Sequence, residues 1–340
     1  MKVLIAGGAG FIGSTIASTL IDSGHQPIIL DNLVTGRREF CAGREFYEGD
    51  IADKALVDRI FKDHSDIAAV VHCAALIVVP DSVERPIHYY RENVSKTLEF
   101  VDQLIANGVE RLIFSSSAAI YEPAEDLTVD ENSRINALSP YGQTKVVVER
   151  MLADISASSP LKVLSLRYFN PIGSDPKMRT GLALASPSHA LGKLIEAHRA
   201  NVPFRVTGVD YPTRDGSGIR DYVHVWDLAA AHLRALERFD ELFAENPGHH
   251  MVLNLGTGTG TTVLELVDAF NQVVDRPVEV EKAPRRPGDS VGAYTRSARA
   301  EQLLGWRAEK SVTEGIADSL AWFDYRGKVL PDLVDGPAGA

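Results

Sequence analysis

A strand that breaks into glycines and then into a helical pattern is the feature that most limits how this chain can fold. Residues 2–6 read as a short strand, and Gly7, Gly8, Ala9, Gly10, Phe11, Ile12 and Gly13 follow at once. Gly8, Gly10 and Gly13 satisfy G-x-G-x-x-G, while Gly7, Gly10 and Gly13 satisfy the wider G-x-x-G-x-x-G. From Phe11 to Ser23 apolar residues recur at helical spacing, and Gly24 supplies a stop. Such a turn lets backbone approach a pyrophosphate closely and points a helix N-terminus at its charge. A second strand, at 28–30, ends on Asp31, 18 positions past Gly13. A carboxylate there accepts from adenosine ribose hydroxyls and repels a 2′-phosphate, so the pattern favours NAD over NADP.

Strand and helix patterns then alternate. Strands are expected at 45–48, 67–72, 111–115 and 162–166, with helices at 54–62, 83–107 and 140–156. This rhythm predicts an α/β fold: a Rossmann-type, doubly wound parallel sheet with ligands at the carboxyl ends of its strands. After Asn170 the rhythm changes. Residues 171–222 are rich in Gly, Pro and Ser and carry one expected helix, at 191–200; strands and helices return over 223–325. The expected organisation is an NAD-binding domain over 1–170 and a smaller substrate-binding lobe over 171–330, with segments returning to the first. A disordered tail is expected over 331–340.

Tyr141 and Lys145 stand four positions apart, on one face of the helix expected there. An ammonium beside a phenol favours the phenolate and makes the tyrosine a usable base near neutral pH. Ser117, the last of three consecutive serines from Ser115, is a candidate to hold or relay the proton. With a nicotinamide cofactor, that trio carries the chemistry of alcohol oxidation.

Composition sets limits. The 340 residues carry a net charge of −11, from 46 acidic and 35 basic side chains. No run of Lys or Arg stands out, which argues against a nucleic-acid surface. Any anionic ligand must be held by a few placed arginines. Cys41 and Cys73, the only cysteines, show no metal-binding spacing and suit a reducing compartment. The N-terminus reads as the first strand rather than a signal peptide, and no apolar run approaches the ~20 residues of a membrane span. The expectation is a soluble, cytoplasmic protein. His72 and His224 read as structural, and His249 with His250 as a loop pair lacking further metal ligands.

These residues together resemble the extended short-chain dehydrogenase/reductases, and most closely the UDP-glucose 4-epimerase family. The resemblance runs from Met1 to about Tyr325. It is carried by the glycine turn, by Leu30, Asp31, Asn32 and Leu33, by Glu48 to Ile51, and by Asn93 and Val94. Ser115 to Ser117, Tyr121, Ser139, Pro140, Tyr141 and Lys145 follow in the family's order. Arg167, Tyr168, Phe169, Asn170 and Pro171 resemble its substrate-contact segment. Asp210 to Thr213, Arg220 to Val225, Asn254 to Gly256 and Ala283 to Asp289 complete the set.

The resemblance implies an NAD-dependent 4-epimerase of a nucleotide sugar. Tyr141 would take the proton from the 4-hydroxyl, Ser117 would bridge the two, and Lys145 would hold the nicotinamide ribose and keep Tyr141 ionised. The implied cofactor contacts are Gly7, Gly10, Phe11, Ile12, Gly13, Asp31, Asn32, Asp50, Ile51, Asn93, Ser115, Tyr141, Lys145 and Tyr168. The implied substrate contacts are Ser117, Tyr141, Asn170, Ser188, Arg220, Arg286, Asp289 and Ala293, the two arginines clamping the diphosphate. A homodimer is implied, pairing the helix around Tyr90 to Asn107 and the helix of Tyr141 with their copies.

This chain departs from the family at three places. Ile77 stands where a lysine is usual. Ser186, Pro187, Ser188, His189, Ala190 and Leu191 replace a stretch with paired asparagines, so Ser188 or His189 must substitute. Ala293 falls where many members place a bulky tyrosine at the sugar wall, and Tyr294 takes that place if the loop shifts by one residue. A methyl at the wall opens room for a 2-acetamido sugar. A 4,6-dehydratase would need an acid beside the serine, and Ala118 and Ala119 follow Ser117 instead. A net dehydrogenase would consume added NAD. A non-catalytic NAD sensor would not need both Tyr141 and Lys145.

Overall fold

The computed structural model describes residues 1–246, 248–285 and 290–333. Its first half runs β1 (Lys2–Ala6), α1 (Phe11–Asp22), β2 (Gln26–Asp31), β3 (Glu45–Glu48), α2 (Lys54–Asp63), β4 (Ile67–His72), α3 (Val79–Glu84), α4 (Pro86–Tyr90), α5 (Lys96–Ala106), β5 (Arg111–Ser117), β6 (Thr128–Val129), α6 (Pro140–Ala157) and β7 (Lys162–Tyr168). Then come β8 (Asn170–Ile172), α7 (Ala190–Ala200), β9 (Phe204–Thr207), β10 (Ile219–His224), α8 (Val225–Glu237), α9 (Phe239–Glu245), β11 (His250–Leu255), β12 (Gly260–Thr262), α10 (Val263–Asn271), β13 (Val280–Ala283), β14 (Tyr294–Thr295), α11 (Arg299–Leu304) and α12 (Val312–Tyr325).

Seven parallel strands form the main sheet in the order β11-β7-β5-β4-β1-β2-β3. The chain winds outward from β1 in both directions, so a crevice opens at the carboxyl ends of β1 and β4. Both faces are covered, as the apolar strands require. Along β1, Val3 and Ile5 pack with α1 and α8 through Ile16, Leu20, Leu228 and Ala235. Leu4 and Ala6 face the other way, onto Val57, Phe100 and Val148 of α2, α5 and α6. A further core gathers Leu191, Leu194, Val206, Tyr222, Phe270, Ile316 and Trp322 beneath the smaller sheets. Phe40, from the loop after β2, also enters that core, its ring 6.0 Å from that of Trp322.

Local sequence explains the helix starts that matter. Ser139 caps α6 by accepting from Gly142 N at 3.1 Å, and Pro140 occupies the first helical turn, where no N–H is missed. His224 caps α8, accepting from Trp226 N at 3.0 Å, which makes it structural as expected. His72 is equally structural: it is fully buried, with Nε2 2.9 Å from Thr97 Oγ1.

Several expected elements are altered. The single helix expected over 83–107 is a chain of α3, α4, a π-helical turn at Arg91–Ser95 and α5. Pro86 disfavours helical geometry at Arg85, which sits at φ −127°, ψ 53°. Strands β5 and β7 run on to Ser117 and Tyr168, past the expected ends. Of the tail expected to be disordered, Pro331–Leu333 forms a 3₁₀ turn whose Asp332 pairs with Arg37, and the remainder lies outside the described residues. Among the described residues no helix is long and apolar enough to cross a membrane.

Candidate active site

Five strand ends, the start of β8 and one helix build the site. Gly7–Gly13 follows β1, Asp31 ends β2, Cys73 and Ala74 follow β4, Ser115–Ser117 closes β5, and Tyr168 with Asn170 stands at β7 and β8. Helix α6 lays Tyr141 and Lys145 against the end of β5.

Lys145 is buried, and its ammonium donates to the Ser115 carbonyl at 2.7 Å while lying 4.9 Å from the Phe114 ring centre. Sequence spacing predicts an ammonium aimed at the phenol; the structure aims it at the strand end instead. Burial pulls the ammonium down to about 8. Burial raises the Tyr141 phenol, and its hydrogen bond with Ser117 opposes that rise. Ser117 Oγ also accepts from Ala119 N at 3.2 Å, so it turns the chain as well as opposing the rise of the phenol.

Several of the expected cofactor residues have geometry that suits NAD. A Cβ at Gly7 would stand 2.5 Å from Ala74 N, and one at Gly13 would stand 2.3 Å from Gly7 O. Packing alone demands those two glycines. A Cβ at Gly10 would meet nothing nearer than Gly7 O at 3.4 Å. What Gly10 leaves open is the approach to the first turn of α1, which has no side-chain cap, and so a pyrophosphate can reach those N–H groups. Phe11 and Ile12 lie in that turn. Asp31 accepts from Ala9 N at 2.9 Å and Leu33 N at 2.8 Å, leaving lone pairs for ribose hydroxyls. Burial raises its carboxyl and the two backbone bonds oppose this. Asn32 donates to Asp50 at 3.3 Å, Asp50 pairs with Lys96 at 2.6 Å, and Ile51 is buried beside them.

Three expected cofactor contacts are already committed to protein partners. The Asn93 amide accepts from Leu76 N at 2.8 Å and donates to Leu76 O at 2.9 Å and Thr144 Oγ1 at 3.1 Å. It braces the loop after β4 against α6, and the π turn aims it there. Ser115 Oγ lies 2.8 Å from the Tyr168 hydroxyl, which also contacts His232.

The expected substrate contacts divide similarly. Half-buried Asn170 keeps its amide out of every hydrogen bond among the described residues. Ser188 is exposed, whereas His189 caps α7, accepting from Gly192 N at 3.2 Å. The Arg220 guanidinium donates to the carbonyls of Ile219 (2.7 Å), Val291 (3.0 Å) and Ser290 (3.3 Å), so it holds the loop before β14. Ala293 packs on the cluster of Ile120, Tyr121, Val129 and Phe169. Tyr294 instead turns its ring toward Gly260, where a Cβ would stand 2.4 Å away. Arg286 and Asp289 lie outside the described residues.

Arg167 is no substrate contact here. Buried, it grips Glu149 of α6 through Nε at 2.9 Å and Nη2 at 2.6 Å, and donates to the Tyr121 hydroxyl at 2.7 Å. Tyr121 donates on to Asn254 Oδ1 at 2.6 Å. Sequence reasoning missed Glu149, though its spacing four after Lys145 and eight after Tyr141 marks the same helix face.

A lysine whose pKa falls from the ordinary 10.5 to about 8 on folding binds its proton more weakly in the folded state. Its contribution therefore rises as pH climbs from about 8 toward 10.5 and is unfavourable below that window. Lys145→Met should raise the unfolding free energy of the cofactor-free chain at pH 7 by roughly 1–3 kcal/mol. The gain should shrink above pH 8. Urea unfolding of both proteins between pH 7 and 10 checks this, and a pH-independent difference contradicts it.

The family model described as "NAD dependent epimerase/dehydratase family" matches residues 3–256. The chain is 40% identical to a UDP-glucose 4-epimerase of Rhizobium leguminosarum bv. trifolii, covering 94% of this chain and 96% of that protein. It is 38% identical to the UDP-glucose 4-epimerase of Bacillus subtilis, covering 95% and 96%. Among solved structures, UDP-glucose-4-epimerase from Stenotrophomonas maltophila, with bound NAD and formylated UDP-arabinopyranose, superposes with a TM-score of 0.89 at 35% identity, covering 96% and 99%. The UDP-Glc/GlcNAc 4-epimerase of Campylobacter jejuni gives 0.78 at 32% identity, covering 94% and 98%. With the glycine turn, Asp31 and the Tyr141–Lys145 pair at one sheet edge, the chain belongs to the NAD dependent epimerase/dehydratase family.

Proposed function

We propose that this protein is an NAD-dependent 4-epimerase of UDP-hexoses. The observation that carries the reading is the convergence of Tyr141, Ser117 and Lys145 on the strand edge that also presents the open Gly10 turn and Asp31. NAD, when bound, supplies a reversible hydride acceptor for C4 of the sugar. Tyr141 takes the 4-hydroxyl proton, passed through Ser117, whose hydroxyl already meets the phenol. Lys145 places positive charge at the same edge and so draws the phenol toward ionisation as the cleft fills. Once the 4-keto sugar has turned over, the hydride would return to the other face of C4 and Tyr141 would give its proton back to O4, which yields the epimer. Ala118 and Ala119 offer no acid to a leaving hydroxyl, which disfavours dehydration.

In this reading residues 1–170 hold NAD and 171–330 mainly the substrate, with β11 returning to the large sheet. Asn170, Ser188, Arg220 and Ala293 face the nucleotide sugar, and Arg286 and Asp289, outside the described residues, are proposed as further contacts. A diphosphate at Arg220 would compete with the 290–291 carbonyls for its guanidinium. NMR analysis of purified protein given UDP-glucose or UDP-galactose without added NAD should show the C4 epimer. Tyr141→Phe should lower kcat roughly 10²–10⁴-fold. Consumption of added NAD, or no epimer from any nucleotide sugar, overturns the assignment.

The Ala293 methyl beside Phe169 extends the reading to 2-acetamido sugars. Ala293→Tyr should cut turnover of the N-acetylated pair about 10-fold or more while sparing the plain hexoses. Equal loss on both pairs, or none, sinks the pocket argument.

The protein is further read as a cytoplasmic homodimer, with both cysteines left as thiols. Val83, Ile87, Tyr90 and Leu98 of α3–α5 stand exposed beside Val147 of α6, and Ile87 is 73% exposed. These helices pack against one another and leave those apolar side chains exposed, where a second copy would cover them. Sedimentation at micromolar concentration should give twice the chain mass, reduced to one by Ile87→Glu with Leu98→Glu. A monomeric wild type contradicts the dimer. Fractionation of cells that finds the protein outside the cytoplasm contradicts the location.

A further inference from the structure

A buried run of hydrogen bonds crosses the main sheet and ends at the proton-transfer site. It begins at His232 on α8, which covers the face opposite α6. His232 is fully buried, and its Nδ1 lies 2.7 Å from the Leu228 carbonyl. A carbonyl only accepts, so Nδ1 carries the hydrogen. Burial pulls the imidazole down to about 4, so the ring is neutral near pH 7 and Nε2 is a bare acceptor. The Tyr168 hydroxyl meets that nitrogen and must donate to it. Ser115 Oγ lies 2.8 Å from the same phenol oxygen. With the phenol's proton committed, the serine hydroxyl is the donor there, and its 3.0 Å contact with Cys73 Sγ is made by the hydrogen of the thiol, which burial keeps protonated. Ser115 is also the residue whose carbonyl takes the Lys145 ammonium at 2.7 Å.

We propose that His232 is a positioning residue for the proton-transfer site: as a fixed acceptor it orients Tyr168 and, through it, Ser115, whose carbonyl holds Lys145. The same bond separates two neighbouring phenols. Tyr168 lies close enough to Tyr141 for their charges to interact, and burial holds Tyr168 well above the ordinary range for a tyrosine. A phenol whose proton is pinned on a neutral imidazole is withheld from the substrate, so the role of base falls to Tyr141. Without the acceptor, Tyr168 must donate to Ser115 Oγ. The serine hydroxyl then has to turn toward Cys73 Sγ, 3.0 Å away and a weak acceptor, and the strand end holding Lys145 loses its fixed arrangement.

The effect on turnover rests on the 4-epimerase reading; the hydrogen-bond polarity does not. Long-range ¹H–¹⁵N NMR of histidine-labelled, NAD-loaded protein should show His232 as the neutral Nδ1–H form from pH 8 down to about 5. An Nε2–H form, or a charged ring at pH 7, overturns the proposal. His232→Leu should lower kcat roughly 10- to 100-fold. It should also displace the acid limb of the kcat profile and leave KM for UDP-glucose unchanged. His232→Gln, whose amide oxygen can accept from Tyr168, should recover most of the rate. A folded Leu variant with wild-type kcat and pH profile refutes the role, as does a Gln variant no better than Leu. Should the Leu variant fail to fold, Tyr168→Phe breaks the next link and must displace the same limb; an unmoved profile there refutes the role equally. If the wild type epimerises nothing, the functional reading falls, and the tautomer measurement still decides the network.

Discussion

A buried ammonium with no ion-pair partner among the described residues is what the architecture of this cleft is built to hold. Lys145 rests on one carbonyl and the face of Phe114. Water would serve the charge better, so the folded chain carries Lys145 at a cost that shows as its lowered pKa. Such a group stays in place only if the elements around it cannot relax. Strand β5 supplies the carbonyl at its last turn before the loop, and α6 supplies the side chain. The relation between strand and helix is therefore the quantity that everything else protects.

Glu149 and Arg167 protect it. The pair is buried on both sides, bidentate, and extended by Ser116, which donates to Glu149, and by Tyr121. Burying an ion pair gains little net stability over packed hydrophobes. What it adds is a defined geometry: Glu149 is one helical turn from Lys145, Ser116 is one residue from Ser115, and Arg167 is one residue from Tyr168. Slipping α6 along the sheet would strand both charges at once. From the loop side, Asn93 ties α6 to the segment after β4 through Thr144 and Leu76. The helix that carries the base is thus held from the sheet and from the cofactor loop together.

The residues legible in the sequence are those whose chemistry is local. The glycine turn, Asp31 at a strand end, and Tyr141 with Lys145 on one helix face each follow from spacing along a single element, and the fold class follows from the alternation of elements. Asn93, Arg167 and Arg220 carry groups fit to bind a ligand, yet their partners are brought near by β4, α6 and the loop before β14. Spacing within one segment cannot reveal that. The break between α3 and α5 was half legible: Pro86 marks it, but the π turn that aims Asn93 depends on the Leu76 backbone waiting opposite. Glu149 was readable from its four-residue interval and was passed over because a carboxylate on a helix so often faces water.

Reaction and specificity occupy mechanically different parts of this molecule. Tyr141, Ser117 and Lys145 sit on the longest helix and on a central strand of the seven-stranded sheet, where displacement would disturb both hydrophobic faces. Ala293 precedes a strand that pairs with β6 over only Tyr294 and Thr295, and its loop is held by carbonyls on one arginine. His189 and Ser188 likewise stand at the entrance of a helix, and Ile77 lies exposed on the loop after β4. All three departures from the family pattern fall in such segments, and none touches the Glu149–Arg167 brace. A wall side chain can change there without altering how Lys145 meets Ser115, so one proton-transfer apparatus can serve different sugars.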